Sequence, residues 1–545
     1  MKFNFLDVLY RPIRRKQQIV SYGTIALMAL VLLLFLIPSQ FFFKVVFVAI
    51  AAYVLFMFFA DLRISEKNWT IISIVAISVF IFHGLYFGQS LLFYGASLLI
   101  VAIATMRFPA VGMYTAIVCS MWFERHFTLQ SITLFSDFSY KIYPLDFVLI
   151  FVAISVMYRV FRDKWKWQWS KNFDLPILLF GIICTLNILW IFIVGNNDPV
   201  VAFSSYKNYF LYVIVYILLV LIFRKKDEWI KLFKWFSVGG IGLFIFLFYG
   251  ILSGSGLWSE YTPLSTIGSR LIAGTHIFFM ILFGFWVLAL YFWPNDKFKY
   301  FSKKVSAILL GLISVGVLVA LVRHLWLALM ILIIFWLIYM LAKKQRVQLI
   351  SLLLRGFLIA IVLLFVYTVL YSAINMKMPG QISKTWYVLK ERTSVSVVTG
   401  GDDSSASWRL SVWKSGLQLW SFNPIFGLGL GKMITGTIGD YLYDIAAKEL
   451  HNNYLAILVQ LGVVGALAVI YWFYALLRNM HALWQKNKNG DDIEQSMMFF
   501  AINTILLFMI VYAISVYWDI NFFILWWWLA IALLRFLCFD KGFKK

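Results

Sequence analysis

Charge is scarce in this chain, and acid is scarcer than base. Only 13% of its 545 residues are charged, with 24 Asp and Glu against 47 Lys and Arg, where soluble globular domains carry about 25% charged residues. A water-dissolved fold is therefore excluded, and the 63% hydrophobic share describes a chain dissolved in lipid. Cysteine is nearly missing. Cys119, Cys184 and Cys538 lie in or beside apolar runs, without the spacing of a metal site or a disulfide framework. A nucleotide-binding loop is missing too: Gly427-Leu428-Gly429-Leu430-Gly431-Lys432 is glycine-rich but has neither a Ser or Thr after the lysine nor a strand before it. That argues against an energy-coupled pump. No internal repeat, heptad array or low-complexity tract is present beyond the apolar bias.

What the chain has is apolar runs. They fall near 18–36, 40–60, 70–87, 91–106, 109–123, 145–161, 175–195, 207–223, 232–252, 271–293, 305–322, 324–342, 351–372, 453–477, 497–517 and 519–537. At a rise of about 1.5 Å per residue, each can cross a hydrocarbon core of about 30 Å. The expectation is an all-α polytopic membrane bundle of about sixteen helices. The first run has no small-residue cleavage site and is read as a retained span.

The formal charge of +23 raises nucleic acid as a partner, but the basic residues are placed by topology. With the N-terminus inside, most of the Lys and Arg fall in inward segments, and the short outward loops hold few. This pattern puts both termini in the cytoplasm. It divides the chain into a bundle of about thirteen helices over 1–372, an external loop over 373–452 and C-terminal helices over 453–545.

On that topology, Arg270, Arg323, Arg409 and His451 all reach the external face. Arg323 lies between two apolar runs with almost no loop to carry it into water, and an arginine at such depth snorkels, pairs or serves a pathway. Arg409 belongs to a segment that reads as an interfacial helix, with Ser404 or Ser405 able to cap it. Trp413, Gly416 and Trp420 follow on the same face, Trp408 widens the aromatic girdle, and Pro424 helps to stop the helix. A guanidinium held there suits a lipid diphosphate, which it grips with a planar fork of donors, or ordinary phospholipid. His451 opens the following helix beside Asn452. It is a solvated end or a base that is neutral at external pH and able to take a proton from a sugar hydroxyl. Gly462 and Gly465 read as helix-packing residues. The glycines at 427, 429 and 431 either turn the chain or let its backbone approach a sugar or phosphate.

The stretch from Arg409 to Gly429, followed by His451-Asn452, nine residues and Gly462-Val463-Val464-Gly465, resembles the O-antigen ligase family. Members share an arginine in the large external loop and a His-Asn/Ser/Gln, nine residues, Gly-x-x-Gly signature after it. The resemblance implies a glycosyltransferase bundle of the GT-C type in the bacterial inner membrane, with its active site on the periplasmic side. The donor it implies is an undecaprenyl-diphosphate-linked glycan, and the acceptor a lipid, a growing glycan or a protein. Arg409 would contact the diphosphate and His451 would activate the acceptor hydroxyl. Arg323, in Val322-Arg323-His324 where the family form is Ser-Arg-Gly, matches a second arginine, and Arg270 is similar to an earlier one. Trp413, Asn452, Lys432 and His276 complete the candidate substrate-binding set with Arg270.

The chemistry expected of such a site is inversion without cofactor or metal: arginines stabilise the departing diphosphate while the acceptor attacks from the opposite face. Metal-dependent membrane oligosaccharyltransferases carry an external Trp-Trp-Asp motif. Here Trp526-Trp527-Trp528 lies within a span, and Asp402, Asp403, Asp440 and Asp444 are irregularly placed and read as solvated. The ligase-like reading stands beside a polymerase or a protein O-oligosaccharyltransferase of the same family. A flippase or exporter of lipid-linked glycan is the rival of another class. It would want charge along an internal pathway, where this chain shows only Lys44 and Lys207 near span ends.

Overall fold

The computed structural model describes residues 64–87, 91–124, 132–135, 138–194, 197–253, 272–320, 322–342, 404–438, 441–486 and 490–540. The expected spans near 18–36, 40–60 and 351–372 lie outside them, as do Arg270, Lys44, Asp402, Asp403 and Asp440. The described chain is mostly helical. Among the described residues, nine helices are long and apolar enough to cross a membrane, and three shorter apolar helices accompany them.

Two compact units divide the chain. The first takes 1–167 and 218–239, the second 168–217 and 240–545. The first contains α1 (Glu66–Phe87), α2 (Leu91–Arg107), α3 (Pro109–Phe123), the hairpin β1 (Ile132–Phe135) and β2 (Phe138–Ile142), and α4 (Pro144–Arg162). Proline at the first position starts α3 and α4, where the missing N–H has no helical partner to lose. The four helices pack side by side, and Gly112 lets α3 close on Val152 of α4.

The second unit holds α5 (Lys171–Val194), α6 (Pro199–Tyr206), a π-turn over Lys207–Leu211, α9 (Gly274–Phe292), α10 (Lys303–Val319), α11 (Arg323–Ala342) and α12 (Ser404–Trp420). The hairpin β3 (Met433–Ile438) and β4 (Tyr441–Ala446) follows, then α13 (Asn453–Lys486), α14 (Asp492–Val511) and α15 (Asn521–Asp540). Helices α7 (Val213–Ile222) and α8 (Lys226–Ser253) contribute to both units. Asp198 caps α6 through the Val200 and Val201 N–H groups, and Asp491 caps α14 through Glu494 N–H. Aromatic rings fill the interior: Trp472 of α13 stacks on Trp528 with centroids 5.3 Å apart, and Trp526, Trp527 and Trp528 of α15 are fully buried.

Helix positions follow the apolar runs closely, with three corrections. The span expected at 207–223 starts earlier, at Pro199, and passes through the π-turn. Helix α12 takes in both Ser404 and Ser405, the residues expected to cap it. The segment expected to be an external loop is not simply helical: β3 pairs antiparallel with β4 from Met433↔Ala446 to Ile438↔Tyr441. Its β-branched residues Ile434, Thr435, Thr437 and Ile438, with Gly439-Asp440 between the strands, carry the hairpin signal in the sequence.

Candidate active site

Helix α12 has two unlike faces. Leu410, Lys414 and Leu417 are exposed, while Val412 and Gly416 are buried. The buried face joins Ile434 of β3, Ala447 and Leu450 of the turn after β4, and Ala456 and Val459 of α13 in one apolar cluster. Trp408, Leu419 and Trp420 pack against it. The face shared by Trp413, Gly416 and Trp420 is thus the packed one, as their spacing requires. Gly416 is small because of its neighbour: a Cβ there would meet Leu450 Cδ2 at 3.3 Å. Trp413 spends its single donor on the same residue, its Nε1–H reaching the Leu450 carbonyl at 2.6 Å.

His451 follows that carbonyl with φ at +54°, in the left-handed region where L side chains are strained. Its ring is half-buried and meets Trp408 edge to face, centroids 5.2 Å apart. Burial, helped by the nearby Arg409 guanidinium, pushes the imidazole pKa down to about 4. Among the described residues its Nδ1 has no hydrogen-bond partner. Asn452 caps α13, its Oδ1 accepting Leu455 N–H at 3.1 Å. Asn453 then ties the helix start to the α14–α15 connection, donating its N–H to Tyr512 O at 2.7 Å and accepting Trp518 N–H on Oδ1 at 3.2 Å.

About two and a half turns further along, α13 is broken. Gly462 has φ +65° and ψ −165°, and 424–429 lies against the break as a strap. Leu428 and Gly429 donate their N–H groups to the Val459 and Gln460 carbonyls, and Val463 and Val464 donate theirs to the Pro424 and Ile425 carbonyls. The four bonds replace those a continuous helix would have made. Asn197 anchors the strap by donating to the Leu428 and Leu430 carbonyls at 2.9 and 3.0 Å, and Asn187 Oδ1 accepts Leu430 N–H at 2.8 Å. Gly427 and Gly431, both at positive φ, therefore turn the chain against the backbone of Gln460 and of Asp198 and Ala202, and Gly462 marks a helix break rather than a helix–helix contact.

The expected site residues are placed unequally. Arg409 and His451 come together through α12 and the turn it packs on. Arg323 is the exposed first residue of α11. Its neighbour His324 is hydrogen-bonded through Nε2 to Tyr517 OH at 3.0 Å, within the same α14–α15 connection that holds Asn453. Lys432 is half-buried just before β3, and its carbonyl accepts Ala447 N–H at 2.8 Å. His276 is fully buried in the first turn of α9, stacked on Phe246 with centroids 4.2 Å apart. Trp413 and Asn452, expected to meet substrate, use the groups described above to fix the histidine's turn. Sequence reasoning missed Asn453, Tyr517 and Asn197, whose partners are remote in the chain, and Lys448, whose Nζ donates to Ser204 Oγ at 3.0 Å. No cluster of three or more His, Cys, Asp or Glu able to hold a metal ion occurs among the described residues.

Residues 308–470, which hold Arg323, Arg409, His451 and the break at Gly462, match the family described as O-antigen ligase. Over those residues the chain is similar to the O-antigen ligase family. That stretch takes in most of α10, all of α11 and α12, the β3–β4 hairpin and the first half of α13, so the strapped break belongs to it. No curated protein matches the chain.

Proposed function

We propose that this membrane glycosyltransferase transfers a glycan from an undecaprenyl-diphosphate-linked donor to an acceptor hydroxyl on the periplasmic face of the bacterial inner membrane. The observation that carries the reading is the Arg409–His451 pair: a cation beside an imidazole that its surroundings keep neutral. Arg409 receives the diphosphate, and Arg323 and Arg270 add positive charge to the same group. The acceptor oxygen attacks the anomeric carbon as the bond to the diphosphate oxygen breaks, and configuration inverts. The electron pair of the broken bond leaves on the diphosphate, and the acceptor proton passes to the imidazole of His451. Two protein groups thus serve two ends of one displacement, one holding the leaving anion and the other removing the proton. In this reading the charge of the leaving group is met by guanidinium groups without a metal. Lys432 serves the sugar or acceptor, and His276, fully buried against Phe246, has no part in this reading.

The test is release of free undecaprenyl diphosphate from lipid-linked oligosaccharide in liposomes, without a gradient. Wild type is compared with Arg409→Ala and His451→Ala, each with and without chelator. Loss of release in both variants and persistence under chelator support the reading. Release equal to wild type in Arg409→Ala, or donor carried across the bilayer intact with no release, overturns it. A product ladder in place of a single new band would assign a polymerase.

A further inference from the structure

We propose that Trp413 is a positioning residue for the reaction: its indole N–H fixes the peptide plane that carries His451 and so sets the imidazole beside Arg409. The proposal rests on the reading of Arg409 and His451 given above. It turns on where the hydrogen bond falls. The Leu450 carbonyl belongs to the peptide joining Leu450 to His451, so holding that oxygen at 2.6 Å holds the plane about which φ of His451 is measured. That angle, +54°, lies in the left-handed region where an L side chain is strained. Left to itself the peptide would relax to negative φ and swing the ring away.

The chain after His451 is fixed as well, since Asn452 caps α13 and Asn453 is bound to Tyr512 and Trp518. His451 therefore stands between two anchored points, and Trp413 supplies the first. Helix α12 carries both Arg409 and Trp413. One rigid element thereby presents the guanidinium and, four residues later, the donor that fixes the histidine's backbone. Gly416, about two turns beyond Arg409 and one beyond Trp413 on the packed face, lets α12 come close enough to Leu450 for the bond to form. Trp408 completes the arrangement from the preceding turn by closing on the imidazole edge to face.

The experiment compares Trp413→Phe, which keeps a ring in the packed face but removes the donor, with Trp420→Phe. Trp420 lies on the same helix, packs on the same cluster, and donates its Nε1–H elsewhere, to the Pro424 carbonyl at 3.1 Å, which Val463 N–H continues to hold at 2.9 Å when the indole donor is removed. Displacing a catalytic group by about 1 Å costs on the order of 100-fold, so kcat of Trp413→Phe should fall roughly 10- to 100-fold while KM for the lipid-linked donor stays at its wild-type value. Trp420→Phe should keep its kcat. Unchanged kcat in Trp413→Phe, an equal loss in Trp420→Phe, or a loss appearing in donor KM in place of kcat overturns the proposal. Measuring His451→Ala and Arg409→Ala alongside separates the failures. If those two retain wild-type turnover, the underlying reading is wrong; if they are inactive and Trp413→Phe is not impaired, only the positioning role is.

Discussion

Asn452 and Leu455 are joined by a side-chain cap, Oδ1 to N–H at 3.1 Å, and the residue immediately before that cap is His451. The second residue of the His-Asn pair therefore holds the helix start that carries the first. Replacing Asn452 by Ala should cost about 1 kcal/mol of stability, and by Ser or Asp much less, because those side chains also cap. Thermal unfolding in detergent checks the order. Turnover should follow it, with Asn452→Ser above Asn452→Ala, since a frayed first turn releases His451 along with it.

The pH dependence should separate free enzyme from complex. Burial and Arg409 both disfavour the imidazolium, so His451, the proposed base, is protonated in the free protein only near pH 4, well below the ordinary histidine range. The acid limb of kcat/KM should therefore fall near pH 4. A bound diphosphate opposes the Arg409 charge and raises the imidazole pKa, so the limb of kcat should lie at higher pH than that of kcat/KM. Arg409→Gln removes one of the two causes and should move the limb of its residual kcat/KM upward. A limb near pH 6.5 in the wild-type enzyme would mean that His451 is solvated during turnover.

Helix positions were legible because apolar runs follow directly from the need to cross lipid: the run at 109–123 is the helix Pro109–Phe123 to the residue. The face of α12 was legible for a similar reason, since spacings of four, seven and eleven from Arg409 stay on one side of any helix. What the sequence hid depends on backbone conformation or on partners far along the chain. Gly462 resembles any small residue in an apolar helix, and only the strap passing beside it explains its left-handed angle. Asn197 looks like a loop residue until its amide is found holding the Leu428 and Leu430 carbonyls. Trp413 reads equally well as a membrane anchor, a sugar platform or a clamp, and the position of the Leu450 oxygen decides where its donor goes.

The strapped break should be intolerant of the smallest addition. A Cβ on Gly462 would lie 2.3 Å from the Ile425 carbonyl oxygen and 2.5 Å from Gly427 N, both backbone atoms that cannot rotate away. Gly462→Ala should therefore expel the strap, exposing 421–431 to limited proteolysis and abolishing turnover. Gly284→Ala is the matched control within a helix, because its nearest neighbour, Ile313 Cγ2, lies at an ordinary 3.4 Å. It should leave both the proteolytic pattern and turnover intact.

A buried ion pair provides a stability prediction away from the chemistry. Arg535 of α15 and Asp174 of α5 lie 3.3 Å apart with side chains 3% and 4% exposed, charges that the apolar runs around them did not advertise. Tyr216 OH donates to Asp174 Oδ1 at 2.6 Å, Ser170 N–H donates to Oδ2 at 2.6 Å, and Arg535 also donates to Tyr216 OH and the Gln168 carbonyl. Both carboxylate oxygens and much of the guanidinium are thereby satisfied, which is what makes the burial of two charges tolerable. Removing one partner strands the other without water, so Arg535→Met and Asp174→Asn should each lose about 3–5 kcal/mol. The double variant buries no net charge and should lose less than the two single losses combined. Asp174 lies about 20 Å along α5 from the strap-binding Asn187, so turnover per folded molecule should be unchanged in all three. A double-mutant cycle of denaturant stability in detergent measures the coupling; additive losses would show that the two charges are stabilised by their other hydrogen bonds and not by each other.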